Sequence, residues 1–386
     1  MVDPTHRDSH RKPLVESLKS HGSRQSNGPG ASRSRPQTNR PNPTYDTNRL
    51  TIDKATYNRA PAVYPLITVS TQLDPGLPEN PLFITGCVGS SSRFRGMITI
   101  DRSVVVGIGK GGSCKTTLAT QLAAIWSSEG KRVLLADLDT QASATKVCGL
   151  DPSDHGNDRH LMDSVMYGDK LTTVKARDRL HVVVAGKHTK TLSHHLVTAE
   201  GGPEAFARSF TELLDQSQFD RIVFDLPPSG SSRLADMAMQ TGKYLLVPTS
   251  SGVDNIEGLR VLAEELELLE SNILLLGVVL MRIGAGAKRK RAEAQQEVAD
   301  ILAGVADPFN TVIREAGTAY DDSRKAKLFL HEYAEWASTV SITNQIKGRI
   351  QIPTNLVDLA QEFYELADEV DDRIALAERL LENSPS

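Results

Sequence analysis

From about residue 101 onward, short unbroken apolar runs alternate with stretches in which apolar residues recur every three or four positions. The runs are SVVVGI (103–108), RVLLADL (132–138), RLHVVVAG (179–186), RIVFDLP (221–227), KYLLVPT (243–249) and ILLLGVVLM (273–281). A strand that is apolar at successive positions is covered on both faces, and an intervening amphipathic helix supplies the crossover that parallel neighbours need. The pattern predicts an α/β fold over 101–350, doubly wound, with a mainly parallel sheet and helices on both faces. In the closing segment, 351–386, Leu359, Phe363, Leu366, Val370, Ile374, Ala377 and Leu381 share one helical face. The opposite face carries Asp358, Glu362, Glu365, Asp368, Glu369, Asp371 and Asp372. An acidic amphipathic helix packed on the domain is the expectation.

The first hundred residues lack both periods. Residues 1–60 are rich in Ser, Asn, Pro and Arg with few apolar positions, which predicts a disordered basic extension. In 61–100, VYPLITV and NPLFITG are separated by Pro and Gly, which suggests a short extended arm. Met97, just ahead of the first strand, leaves open whether 1–96 form a genuine arm or an upstream extension.

Composition narrows the setting. A net charge of −4 over 386 residues gives no global attraction to polyanions, so nucleic-acid binding would have to rest on a local patch. Cys87, Cys114 and Cys148 are odd in number and form no C-x-x-C pair, which argues against a disulfide framework or a zinc or iron-sulfur site. No run approaches the ~20 apolar residues of a membrane span, so the expected location is cytoplasmic.

The chemistry is concentrated in three places. GIGKGGSCKTT (107–117) joins a strand to a helix and nearly matches the phosphate-binding pattern G-x-x-x-x-G-K-[ST], with Cys114 where the last glycine belongs. Backbone N–H groups of such a loop and the positive end of the following helix converge on one anion, Lys115 reaches the terminal phosphates, and the Thr116 hydroxyl meets Mg²⁺. In LLADLDTQAS, Asp137 and Asp139 end the second apolar run, where ligands sit in open α/β sheets. In RIVFDLPPSG, Asp225 ends another, the place of the acidic residue that holds Mg²⁺ through water in nucleoside triphosphatases.

With the KGG of its loop, DLDTQAS, FDLPPSG, LLVPTSSGVDNIEGL and TVIREAGTAY, the chain resembles the ParA/MinD family of deviant Walker ATPases over about 102–370, and ParA partition proteins most. The resemblance implies a P-loop domain binding ATP and Mg²⁺ through Gly109, Lys110, Gly111, Gly112, Ser113, Cys114, Lys115, Thr116, Thr117, Asp137 and Asp225. Catalysis would fall to Lys110, Lys115 and Asp139: Lys110 reaches the partner's phosphates across an ATP-bridged homodimer, Asp139 positions the attacking water, and Asp137 supports the site. It also implies nonspecific DNA binding, a ParB-like DNA-bound partner that stimulates hydrolysis, and a nucleoid-associated location. Arg282, Lys288, Arg289, Lys290, Arg291 and Arg314 are the matching candidates for DNA, clustered cations suited to phosphate contacts. Where chromosomal partition proteins show IPRNVRL this chain reads IREAGTA, so Arg314 is the least direct of these.

Relatives with the same loop fit less well: the tail is acidic rather than the basic membrane helix of a division-site MinD, paired cysteines of iron-sulfur carriers are missing, and no tyrosine cluster ends the chain. Cys114 frames an alternative, a nucleotide-sensing scaffold or regulator that binds without turnover. A β-carbon on left-handed backbone there costs about 1–2 kcal/mol, which would weaken a micromolar site roughly tenfold to thirtyfold and still let it fill at about millimolar ATP. A thiol beside Lys115 at a helix start also raises the question of a lowered pKa and a redox-sensitive loop.

Overall fold

A computed structural model describes residues 98–107, 114–198, 201–216, 218–228, 232–250, 269, 271–284, 288–302, 306–340 and 351–383. The basic extension, almost all of the arm and the loop residues Gly109, Lys110, Gly111, Gly112 and Ser113 lie outside this set.

In chain order the elements are β1 (Ile100–Val106), α1 (Lys115–Ser128), β2 (Val133–Asp137), α2 (Ser143–Val147), α3 (His160–Tyr167), β3 (Val174–Lys175), β4 (Leu180–Val183), α4 (Lys187–His195) and α5 (Gly202–Asp215). There follow β5 (Arg221–Asp225), α6 (Arg233–Thr241), β6 (Gly242–Ser250), β7 (Leu274–Met281), α7 (Lys288–Ile301), α8 (Ala319–Lys325), α9 (Leu330–Thr339) and α10 (Leu356–Glu382). The sheet runs β3-β4-β2-β5-β1-β6-β7, parallel throughout except that β3 is antiparallel to β4. The doubly wound parallel sheet expected from the alternation is therefore the observed architecture.

Period-two alternation divides each strand between two cores. Val105, Leu134, Ile222, Phe224, Leu245 and Val278 face α3 to α7, whereas Val104, Leu135, Val223, Tyr244, Leu246 and Val279 face α1, α9 and α10. Both cores are fully excluded from water at their centres, as the continuous apolar runs require.

An open sheet must protect its edge strands. Along the outer edge of β7 runs an extended strap, 306–316, whose Phe309 and Ile313 amides donate to Val278 and Leu280 carbonyls. The buried Arg373 of α10 donates to the carbonyls of Leu276, Asp307 and Pro308 and to Glu369, and its guanidinium lies 3.9 Å from the Phe309 ring centre. Glu369 in turn accepts from the Asn310 and Thr311 amides. Glycine is needed at 277, where φ is +142° and a β-carbon would stand 2.5 Å from the Arg373 guanidinium. This clamp fixes the strap and delivers its end, Glu315 to Gly317, to the carboxyl edge of the sheet.

Among the described residues, no helix is long and apolar enough to cross a membrane. No cluster of His, Cys, Asp or Glu there could hold a metal by itself; His194 and His195 are exposed at the end of α4.

Candidate functional site

Parallel pairing brings the acidic residues together. Asp225 at the end of β5 lies in register with Val106 at the end of β1 and with Asp137 at the end of β2. Three strand ends thus meet where β1 passes into the glycine-rich loop, the crevice that open α/β sheets use for ligands. At Gly107 a β-carbon would stand 2.6 Å from the Leu226 side chain, so glycine lets the chain leave β1 close beside the Asp225 segment.

Cys114 caps α1 with φ 64° and ψ 20°, left-handed backbone. Its carbonyl accepts the Leu118 amide at 2.9 Å, the first bond of the helix. The conformation belongs to the strand–loop–helix junction itself, so the cost of the β-carbon falls on the stability of the fold rather than on ligand binding alone. Cys114→Gly is accordingly expected to raise unfolding free energy by about 1 kcal/mol while ATP affinity, read by calorimetry, stays within about threefold. An affinity gain of tenfold or more would show instead that the strain is met only on binding. Burial pushes the Cys114 thiol above its ordinary pKa, against the opposing fields of Arg282 and Lys115. The shift argues against a redox-sensitive loop, since a protonated thiol is a poor nucleophile.

Lys115, the first residue of α1, is buried, and burial lowers its pKa while Asp225, Asp139 and Cys114 oppose the shift. Asp225 is fully buried, and neither of its oxygens accepts a well-formed hydrogen bond among the described residues. Burial and the neighbouring Asp137 carboxylate push its pKa well up, with the Thr116 hydroxyl and Lys115 acting the other way. A dry carboxylate with unfilled lone pairs beside a threonine hydroxyl is a donor set suited to a hydrated divalent cation. Thr116 and Asp225 therefore fit Mg²⁺, whose charge would stabilise the Asp225 carboxylate as the anion.

Asp137 has a different task. Its Oδ2 accepts from the Thr145 amide and hydroxyl at 2.8 Å each, and its Oδ1 accepts from the Asp139 amide at 3.1 Å. The Thr145 hydroxyl also accepts from the Ala185 amide at the end of β4. Burial raises the Asp137 pKa although these hydrogen bonds favour the carboxylate. Asp137 thus pins the turn that carries Asp139, whose own Oδ1 accepts the Gln141 amide. Asp139 remains half-exposed, with its carboxyl group facing a cavity.

That cavity, about 450 Å³, is lined on one side by Cys114, Lys115, Thr116, Thr117 and Asp139. Asp225 lies just behind this wall, one residue before the lining Leu226. The lining also includes Arg282 and, from the strap, α8 and the turn between them, Glu315, Gly317 and Tyr320. No motif assigned Glu315, Gly317 or Tyr320 a role in the site, although TVIREAGTAY carries part of the resemblance; the strap reaches the pocket through tertiary pairing with β7.

The sequence-derived basic residues separate. Arg289, Lys290 and Arg291 are exposed on the first turn of α7, which opens at Lys288. Arg314 is bonded instead to Glu362 and Asp358 of α10, at 2.8 and 2.7 Å. Arg282 follows β7 and lines the cavity.

Comparisons with known proteins now bear on this geometry. A family model described as an AAA domain matches residues 101–275. The chromosome-partitioning ATPase Soj of Thermus thermophilus is 32% identical over 199 residues, 50% of this chain and 75% of that protein. The chain belongs to the ParA/MinD family of deviant Walker ATPases. Another family member, the cell division protein PomZ of Myxococcus xanthus, is 29% identical over 167 residues, 42% of this chain and 51% of that protein, so the chain spans about half of PomZ. In three dimensions, an ATP complex of McdA from Cyanothece shares the fold, with a TM-score of 0.55, 18% identity and coverage of 71% of this chain and 97% of that one. Nucleotide and magnesium binding are properties of the family.

Proposed function

We propose that the chain is a ParA-type positioning ATPase, which binds ATP with Mg²⁺, dimerises in that state, holds DNA without sequence preference and hydrolyses ATP when a ParB-like, DNA-bound partner stimulates it. The observation that carries this reading is the convergence of Lys115, Thr116 and Asp139 on one cavity, with the unsatisfied Asp225 carboxylate behind them. Lys115 and the start of α1 bind the phosphates, Thr116 and Asp225 hold the magnesium, and Asp139 orients the attacking water. Lys110 is assigned to the partner's phosphates across the dimer. Kinship with Soj and PomZ supports a task in moving or placing a cargo.

DNA contact is assigned to Lys288, Arg289, Lys290 and Arg291. Arg314 is left out because its charge is already neutralised by two carboxylates. Replacing the four with Ala is expected to weaken ATP-dependent DNA binding and flatten its salt dependence by up to about 0.9 log units for each phosphate that is no longer neutralised. DNA retention measured across a salt series checks this, and an unchanged slope would remove α7 from the interface. Formation of dimers with ATP but not ADP, followed by sedimentation velocity, tests the switch itself.

Cys114 supports a second reading, a regulator that binds ATP without turning it over, because its side chain lines the wall at the phosphate end. The two readings share the binding step and differ in turnover.

A further inference from the structure

Arg282 is set up for a task other than the one its charge first suggests. It follows β7 directly, at the carboxyl edge of the sheet, with φ 60° in the left-handed region that favours glycine. Its neighbour Ile283 is bridged to Arg314 and accepts the Glu315 amide, so the strap fixes the backbone on which Arg282 stands. A left-handed non-glycine residue held in place by its surroundings is a mark of functional sites.

Of the other arginines, Arg324 of α8 also lines the cavity, and three are engaged elsewhere. Arg314 is bonded to Glu362 and Asp358, Arg289 to Glu293, and Arg291 to the Asn310 carbonyl. Arg282 is exposed in the cavity wall and makes no ion pair among the described residues, although Glu315 shares that wall. It lines the same cavity as Cys114 and Lys115, and its field reaches the Cys114 thiol. A guanidinium presents a planar fork that matches a phosphate bidentately, and it stays charged however dry its surroundings become.

We propose that Arg282 is a ligand of the nucleotide's phosphate chain, acting together with Lys115 in the cavity, and is no part of the DNA surface. This rests on the nucleotide-binding reading above. The cavity wall contributed by β7 and the strap would then bind, as well as enclose, the nucleotide.

The test uses the full chain with MgATP and with magnesium tripolyphosphate, which has the phosphates but no nucleoside. Arg282→Ala is expected to weaken both about tenfold by calorimetry, and Arg282→Lys, with charge but no fork, to restore part of the loss. At saturating ATP the salt slope of DNA binding should match wild type, and thermal melting should confirm that each variant folds. Unchanged tripolyphosphate affinity would overturn the proposal, as would a flattened DNA salt slope with nucleotide affinity intact. If wild type binds neither ligand, the nucleotide reading fails, and this assignment with it; binding by wild type but no loss in Arg282→Ala sinks the assignment alone.

Discussion

Lys115→Ala is expected to lower MgATP affinity by about 100-fold, the loss of roughly two charge-assisted hydrogen bonds at about 1.5 kcal/mol each. Lys115 is buried at the start of α1, so its ammonium is already largely stripped of water before a ligand arrives. The desolvation that lowers its pKa is met in the fold, and a phosphate entering the cavity supplies the opposing charge. Removal also takes from the buried Asp225 carboxylate a charge that favours its anion, so some loss of stability is expected as well. Calorimetric titration with MgATP and a parallel thermal melt separate the two effects. An affinity loss under threefold would show that the loop binds through its backbone alone.

Asp139→Asn is expected to reduce turnover by about 10² to 10³-fold, the range of a positioned base or water-orienting group, and to leave ATP affinity within a few-fold. The asparagine keeps an oxygen for the Gln141 amide and leaves the bond from its own amide to the Asp137 carboxylate untouched, so the turn survives and only the charge is removed. Asp137→Asn should behave differently. It weakens the carboxylate that accepts from Thr145 and from the Asp139 amide, and so disturbs the whole turn, binding and stability included. Equal effects of the two substitutions on affinity and on turnover would contradict the separate tasks assigned to them.

Much of this site could be read along the chain because its parts are local. A strand end, a glycine-rich loop and a helix start are contiguous, and Asp137, Asp139 and Asp225 follow apolar runs that could only be buried strands. The six long runs became β1, β2, β4, β5, β6 and β7. The edge strand β3 escaped notice, since two residues leave no period to detect. What sequence could not show is how charge is spent. The acidic face of α10 reads as a solvated stripe, yet Asp358 and Glu362 take Arg314, Glu369 takes Arg373, and Asp371 takes both Lys131 and Arg221. Those partners come from 44 to 240 residues away, Arg373 excepted. Arg282 and Arg314 look alike in the sequence, and only the strap along β7 sends one into the cavity and the other to α10. Likewise the left-handed demand at 114 was a condition in the sequence and is a property of the helix cap in the fold.

The central claim, that an altered loop still serves a working ATPase, is tested most directly by magnesium-dependent phosphate release from the full-length chain at about millimolar ATP, with nonspecific DNA present and Lys115→Ala as the reference. The account predicts release by the wild-type protein well above that reference, lost in Asp139→Asn and present without need of Cys114→Gly. Release no greater than the reference, in a wild-type protein shown to bind ATP, would contradict it and leave the nucleotide-sensing regulator as the better reading.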